Sequence, residues 1–89
     1  MNKITAFHFN KLSKKYEKTV YENISVHGSN SITMRIFTDE PIKISPEDYI
    51  FRGVTSEENP PKDKSYKITA VYENLRGTRP HYKIKGEFI

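Results

Sequence analysis

Isoleucine, valine, threonine, tyrosine and phenylalanine fill 32 of the 89 positions, whereas alanine and leucine together fill four. β-Branched and aromatic side chains fit a pleated, half-buried surface, while alanine and leucine are what helices prefer. A chain weighted this way reads as strands. The order of its residues agrees, because apolar side chains recur with period two through most of the sequence.

Ile4–Asn10 alternates with both faces partly apolar, and Lys11-Leu12-Ser13-Lys14-Lys15 is a polar turn. Tyr16–Val26 resumes the alternation as one strand, with Glu22 interrupting the face shared by Val20, Ile24 and Val26. That charge points to an exposed edge or a bulge. His27-Gly28-Ser29-Asn30 has the residues of a hairpin turn. Ser31–Phe37 follows as the clearest half-buried strand, with Ile32, Met34 and Ile36 on its apolar face. Thr38-Asp39-Glu40-Pro41 ends it, and Ile42 and Ile44 read as a short edge strand between Pro41 and Pro46.

Ser45-Pro46-Glu47-Asp48 resembles a helix N-cap with proline at the first helical position, leaving room for one turn. Strand resumes at Tyr49-Ile50-Phe51. Gly53–Lys64, with Pro60 and Pro61 in tandem, is a long loop and a candidate contact arm. Ser65–Glu73 alternates Tyr66, Ile68, Ala70 and Tyr72 against Lys67, Thr69 and Val71. A basic turn around Gly77 leads into the last strand, His81–Ile89, with Tyr82, Ile84 and Phe88 on one face. The expectation is a single all-β domain over residues 1–89, a small barrel or sandwich of six to seven mostly antiparallel strands, with at most one helical turn.

The core of such a domain is thin. Ala, Val, Ile, Leu, Met, Phe, Cys and Gly make up 29 of 89 residues, about a third where globular domains have about 45–50%. A domain of this size hides only about 60–65% of the surface of its unfolded chain. Contact with a partner or with further copies would supply the missing burial. There is no cysteine, hence no disulfide, thiolate nucleophile or thiolate metal ligand. No stretch approaches the roughly 20 apolar residues of a membrane-spanning helix. The N-terminus alternates rather than forming an apolar signal segment, so the expected place of synthesis and residence is the cytoplasm.

Little in the sequence points to catalysis. His8, His27 and His81 fall on different elements without ligand spacing, and read as surface or half-buried histidines. No nucleophile elbow or Gly-rich phosphate loop occurs. Asp39, Glu40, Glu47 and Asp48 read as a solvated acidic rim. Two basic groups stand out: Lys11, Lys14, Lys15 and Lys18 around Tyr16, and Arg76, Arg79, His81, Lys83 and Lys85 around Tyr82. Cations interleaved with aromatics on a β scaffold suit a single-strand binder. Acids beside them, and a net charge of only +4, make a modest footprint for that role. No cofactor or metal is expected.

The order of several motifs resembles a family of small phage structural proteins. Tyr16-Glu17-Lys18-Thr19 followed by Ile24-Ser25-Val26 looks like the family's Tyr-x-x-Thr and Val-x-Trp pair. Met34-Arg35-Ile36-Phe37 and Asp48-Tyr49-Ile50-Phe51-Arg52-Gly53 match the two segments that come next. The block Val71–Ile84, with Asn74, Gly77, His81 and Tyr82, is similar to Val-x-x-Asn-x-x-Gly-x-x-x-His-Trp-x-Val and is the most specific part. These are features of head–tail connector or head-completion proteins (stoppers, minor capsid proteins) of long-tailed phages and prophages of Gram-positive bacteria. Val26 and Tyr82 stand where the family often has tryptophan, and the chain is short between Phe37 and Asp48.

The resemblance implies a non-enzymatic virion protein at the head–tail junction. Its copies would form a ring below the portal, with a portal or adaptor protein on one side and a tail-completion or tail-terminator protein on the other. Packaged DNA would pass through without sequence-specific binding. Arg52, Glu57, Glu58, Pro60, Pro61, Lys62, Arg76, Arg79, His81 and Tyr82 are then the candidate inter-subunit or partner contacts. Gly28, Gly53 and Gly77 are the expected turn glycines. The alternative is a small OB-like module that binds single-stranded nucleic acid or a host factor.

Overall fold

A computed structural model describes residues 3–38 and 40–88. Met1, Asn2, Asp39 of the acidic rim and Ile89 of the last expected strand lie outside the described residues.

Seven strands alternate with turns: β1 (Ile4–Asn10), β2 (Lys15–Tyr21), β3 (Ile24–Gly28), β4 (Ser31–Ile36), β5 (Tyr49–Arg52), β6 (Ser65–Asn74) and β7 (His81–Phe88). All neighbours pair antiparallel in one sheet of order β2-β1-β5-β6-β7-β4-β3. The all-β expectation holds, and the sheet is open rather than a closed barrel. It is strongly curled. Its two edge strands, β2 and β3, are joined by Glu22 and Asn23 alone, so their ends lie within about 11 Å, three Cα steps. In a flat sheet six spacings would separate them by about 29 Å.

The curl wraps one face around a single core: Ile4 and Ala6 of β1, Met34 and Ile36 of β4, Ile50 of β5, Ile68 of β6, Ile84 of β7, and Ile44. The register explains the selection. Ala6 stands opposite Ile50, Ile50 opposite Tyr66, Val71 opposite Ile84 and Ile84 opposite Met34, so inward side chains stay in line across the sheet.

Several local expectations need correction. The run Tyr16–Val26 is two strands, because Asn23 adopts φ 56° and the chain crosses from one sheet edge to the other at Glu22-Asn23. The interruption at Glu22 marks a corner, where Glu22 pairs with Lys3 at 3.0 Å. The Ile42–Ile44 edge strand does not form. Its amides go elsewhere: Lys43 N donates to Tyr21 Oη (2.8 Å) and Ser45 N to Asp48 Oδ2 (2.9 Å). The segment instead crosses as a strap that puts Ile44 into the core. Ser45–Asp48 makes no helical turn. Asp48 N bonds to Ser45 O at 3.1 Å and Glu47 has φ 80°, which with Pro46 before it is the pattern of a type II turn. In β6 a bulge between Ile68 and Ala70 makes Thr69 an extra residue. Beyond it Val71, not Ala70, faces the core, and Tyr72 points out, 49% exposed. A period-two reading cannot see such a slip.

The outward face is not uniformly wet. Phe7 is fully buried there, flanked by Tyr49 directly opposite and by Tyr16, whose ring meets it edge-on at 6.2 Å. The Gly53–Lys64 loop turns back over this region. Thr5 Oγ1 donates to Gly53 O (2.8 Å), Lys18 Nζ reaches Thr55 O (3.5 Å) and Ser65 Oγ donates to Pro61 O (2.8 Å).

Candidate functional site

The β6–β7 hairpin and its neighbour β4 bring most of the second basic group together. Antiparallel register sets His81, Lys83 and Lys85 of β7 on the outward face, because Tyr82, Ile84 and Gly86 between them are drawn into the core. Across β4, Lys83 stands directly opposite Arg35, and Lys85 opposite Thr33. Across β6, Lys83 stands opposite Tyr72 and Lys85 opposite Ala70. His27 of β3 pairs with Thr33 and continues the second row. At the end of the face, Arg79 lays its guanidinium 3.8 Å over the Phe37 ring. His81 packs beside the same ring at 5.8 Å, with its Nδ1 3.0 Å from Arg79 O.

Arg79, His81, Lys83 and Lys85 are therefore brought onto one surface, and Arg35, His27 and Tyr72 join them. Arg35, Lys83, Lys85 and Arg79 form no ion pair among the described residues. Tyr82 does not belong to this surface. It is 5% exposed, and its place as the exposed aromatic is taken by Tyr72. The bulge at Thr69 is the reason, since it alone turns Tyr72 outward. Arg76 sits apart at the hairpin tip beside Glu73, Asn74 and Leu75, where Gly77 has φ 110° in open space.

The other expected contacts lie on the long loop and at the end of β5. Glu57, Glu58 and Lys62 are exposed on the long loop, Pro60 and Pro61 are half-buried, and Arg52 is exposed at the end of β5. Gly53 turns at φ 126° to start the loop. Gly28 closes the β3–β4 hairpin at φ 105°, where a Cβ would lie 2.1 Å from Ser31 O. The lysines of the first basic group do not share a face: Lys15 and Lys18 differ in parity on β2, and Lys11 and Lys14 lie in the turn. Lys14, Lys15, Tyr16 and Lys18 nonetheless line one recess together with Ser56, Glu58 and Asn59 of the loop. The Tyr16 hydroxyl there is pushed above its ordinary value of 10.0, first by burial and then by Tyr49.

A second arrangement lies at one end of the curl. Asp48, expected on a solvated rim, is 5% exposed. Its Oδ1 lies 2.8 Å from His8 Nδ1, and its Oδ2 accepts from Ser45 N (2.9 Å) and Ser45 Oγ (3.4 Å). An ionised carboxylate only accepts, so His8 Nδ1 is the donor. His8, Glu17, Thr19, Ile42, Lys43, Ile44 and Ser45 line an open pocket of about 410 Å³ beside it. The order of contacts is serine to aspartate to histidine, whereas nucleophile activation needs the hydroxyl on the histidine. The carboxylate ties the strap to β1; it does not prime Ser45. Nothing in the spacing of His8 and Asp48, 40 residues apart, announces this pair. The alternation that places His8 on the inward face is the nearest signal. Among the described residues no group of three or more histidine, aspartate or glutamate side chains is placed to hold a metal ion.

Comparison with family models, with curated proteins and with solved structures finds no match. The basic sheet face and the carboxylate-tied strap therefore stand on their own geometry.

Proposed function

We propose that this chain is a non-enzymatic structural subunit, a head–tail connector of the stopper or head-completion type, whose copies associate head to tail in a ring. One observation carries the reading: the β1–β2 hairpin at the sheet edge leaves apolar side chains in solvent. Phe9 is 43% exposed, Val20 46% and the tip residue Leu12 97%. An open edge strand with apolar neighbours is a liability for a free monomer, and a second copy laid against it removes that liability. A thin interior core is in keeping with a subunit that completes its burial through neighbours. The resemblance supplies the biological setting, and its most specific block, Val71–Ile84, falls on the β6–β7 hairpin.

The test is native mass spectrometry and negative-stain microscopy of the chain mixed with portal or adaptor rings. The expected result is a closed ring of this chain stacked on them, lost in a Phe9→Ser, Leu12→Ser double variant. Failure of the folded chain to associate with any such ring rejects the reading.

A further inference from the structure

We infer that the outward face of β6, β7, β4 and β3 is a binding surface for the phosphate backbone of single-stranded nucleic acid, with Tyr72 as its base-stacking platform. The inference goes beyond the ring proposal and does not depend on it.

The positive charge on this face is uncompensated. Lys83 and Arg35 face each other directly on adjacent strands, a separation of about 5 Å between Cβ atoms at which like charges oppose folding. Lys85 follows on the same face two residues along, about 7 Å away. Arg79 extends the row beyond His81, held over Phe37 by the cation–π contact. Four permanent cations thus share one face, two of them in unfavourable apposition, and no carboxylate among the described residues pairs with any of them. The one acid in these rows, Glu87, stands at the far end opposite Lys67 and Ser31. A polyanion laid along the face turns this repulsion into attraction.

Tyr72 selects the class of polyanion. Tyr72 lies directly across from Lys83 and is half exposed, with Ala70 as the next residue of its strand on that face. An aromatic ring at the flank of a cationic row offers a stacking surface to an unpaired base, which a duplex or an acidic protein does not use. The scaffold under these groups is rigid. Tyr82, Ile84 and Gly86 anchor β7 from below, and Gly86 packs so closely that a Cβ would come within 3.2 Å of Lys67 O. The side chains are therefore presented at fixed spacing. In the sequence these cations surround Tyr82, which is buried; the exposed aromatic beside them is Tyr72, and β4 adds Arg35.

Fluorescence anisotropy with a labelled oligothymidylate, and with a duplex of equal length, tests the inference on the intact chain. The expected result is preferential binding of the single strand. Its log affinity should fall linearly with log salt at a slope of about −3, the value for four phosphate contacts at about −0.7 each. Lys83→Glu with Lys85→Glu should weaken binding at least tenfold. Tyr72→Ala should weaken single-strand binding roughly tenfold and leave the duplex unchanged. Arg35→Glu places opposite charges across the strands, so it should fold at least as well as the parent while binding more weakly, which separates binding from stability. Absence of binding at low salt overturns the inference. So does equal binding of duplex insensitive to Tyr72, or an equal loss from Lys14→Glu with Lys15→Glu on the other hairpin.

Discussion

Truncating Phe7 asks whether the outward face of β1 hides a second apolar site under the long loop. Phe7 and Phe9 sit two residues apart on that face, yet Phe7 is fully buried and Phe9 is 43% exposed. Removing a buried phenylalanine ring costs about 3–5 kcal/mol. Loss of the edge-on contact with Tyr16 lies within that figure. A chain of this length has a total stability of about 4–13 kcal/mol by the usual per-residue range, so Phe7→Ala consumes from about a quarter to all of it. Phe9→Ala removes a half-solvated ring whose aromatic partner among the described residues is Tyr16 at 5.2 Å, and should cost less than about 1.5 kcal/mol. Urea unfolding followed by circular dichroism and tyrosine fluorescence reads both, since the chain has six tyrosines and no tryptophan. With a slope near the low end for small domains, about 1–1.5 kcal/mol per molar, Phe7→Ala lowers the midpoint by about 2–5 M. Phe7→Leu provides a measurable intermediate of about 1–2 kcal/mol if the alanine variant does not fold. A Phe7 variant no less stable than its Phe9 counterpart refutes the argument that the loop and Tyr16 seal this face.

Other consequences follow from the same contacts. Asp48→Ala strips the partner from His8 Nδ1 and from the Ser45 amide. It should destabilise by about 1–3 kcal/mol in thermal unfolding, and Ser45→Ala by much less, because the Ser45 hydroxyl contact is long at 3.4 Å. Glu47→Gly relieves a side chain held at φ 80° and loses only a surface pair with Lys67. It should be neutral to stabilising by about 1 kcal/mol in urea titration. The raised pKa of Tyr16 means folding favours its neutral form. That contribution is complete below pH 10, the ordinary tyrosine value, and fades as pH climbs through the raised value. Melting temperature against pH should show an alkaline loss that Tyr16→Phe reduces.

The backbone plan was legible from residue choice and alternation. β1 runs over the stretch its pattern marks, Ile32, Met34 and Ile36 are the buried side of β4, and the turn at Gly28 is where glycine and asparagine place it. Strand character is a local property, set by side-chain branching and by which residues repeat at every second position. Three things are not local, and the tertiary structure decided them. The corner at Glu22-Asn23 exists because the sheet curls until two residues suffice to join its edge strands, and strand pattern carries no information about curl. The bulge at Thr69 inserts one residue against the partner strand, a mismatch defined only by pairing with β7, and it alone turns Tyr72 rather than Val71 toward solvent beside Lys83. Asp48 reads as one more surface acid until the strap brings it beneath His8, where burial requires a partner. The sequence by itself determined an all-β domain rich in cations along its last strand; the order β6-β7-β4, which no single strand encodes, set Arg35 against Lys83 and made those cations one surface.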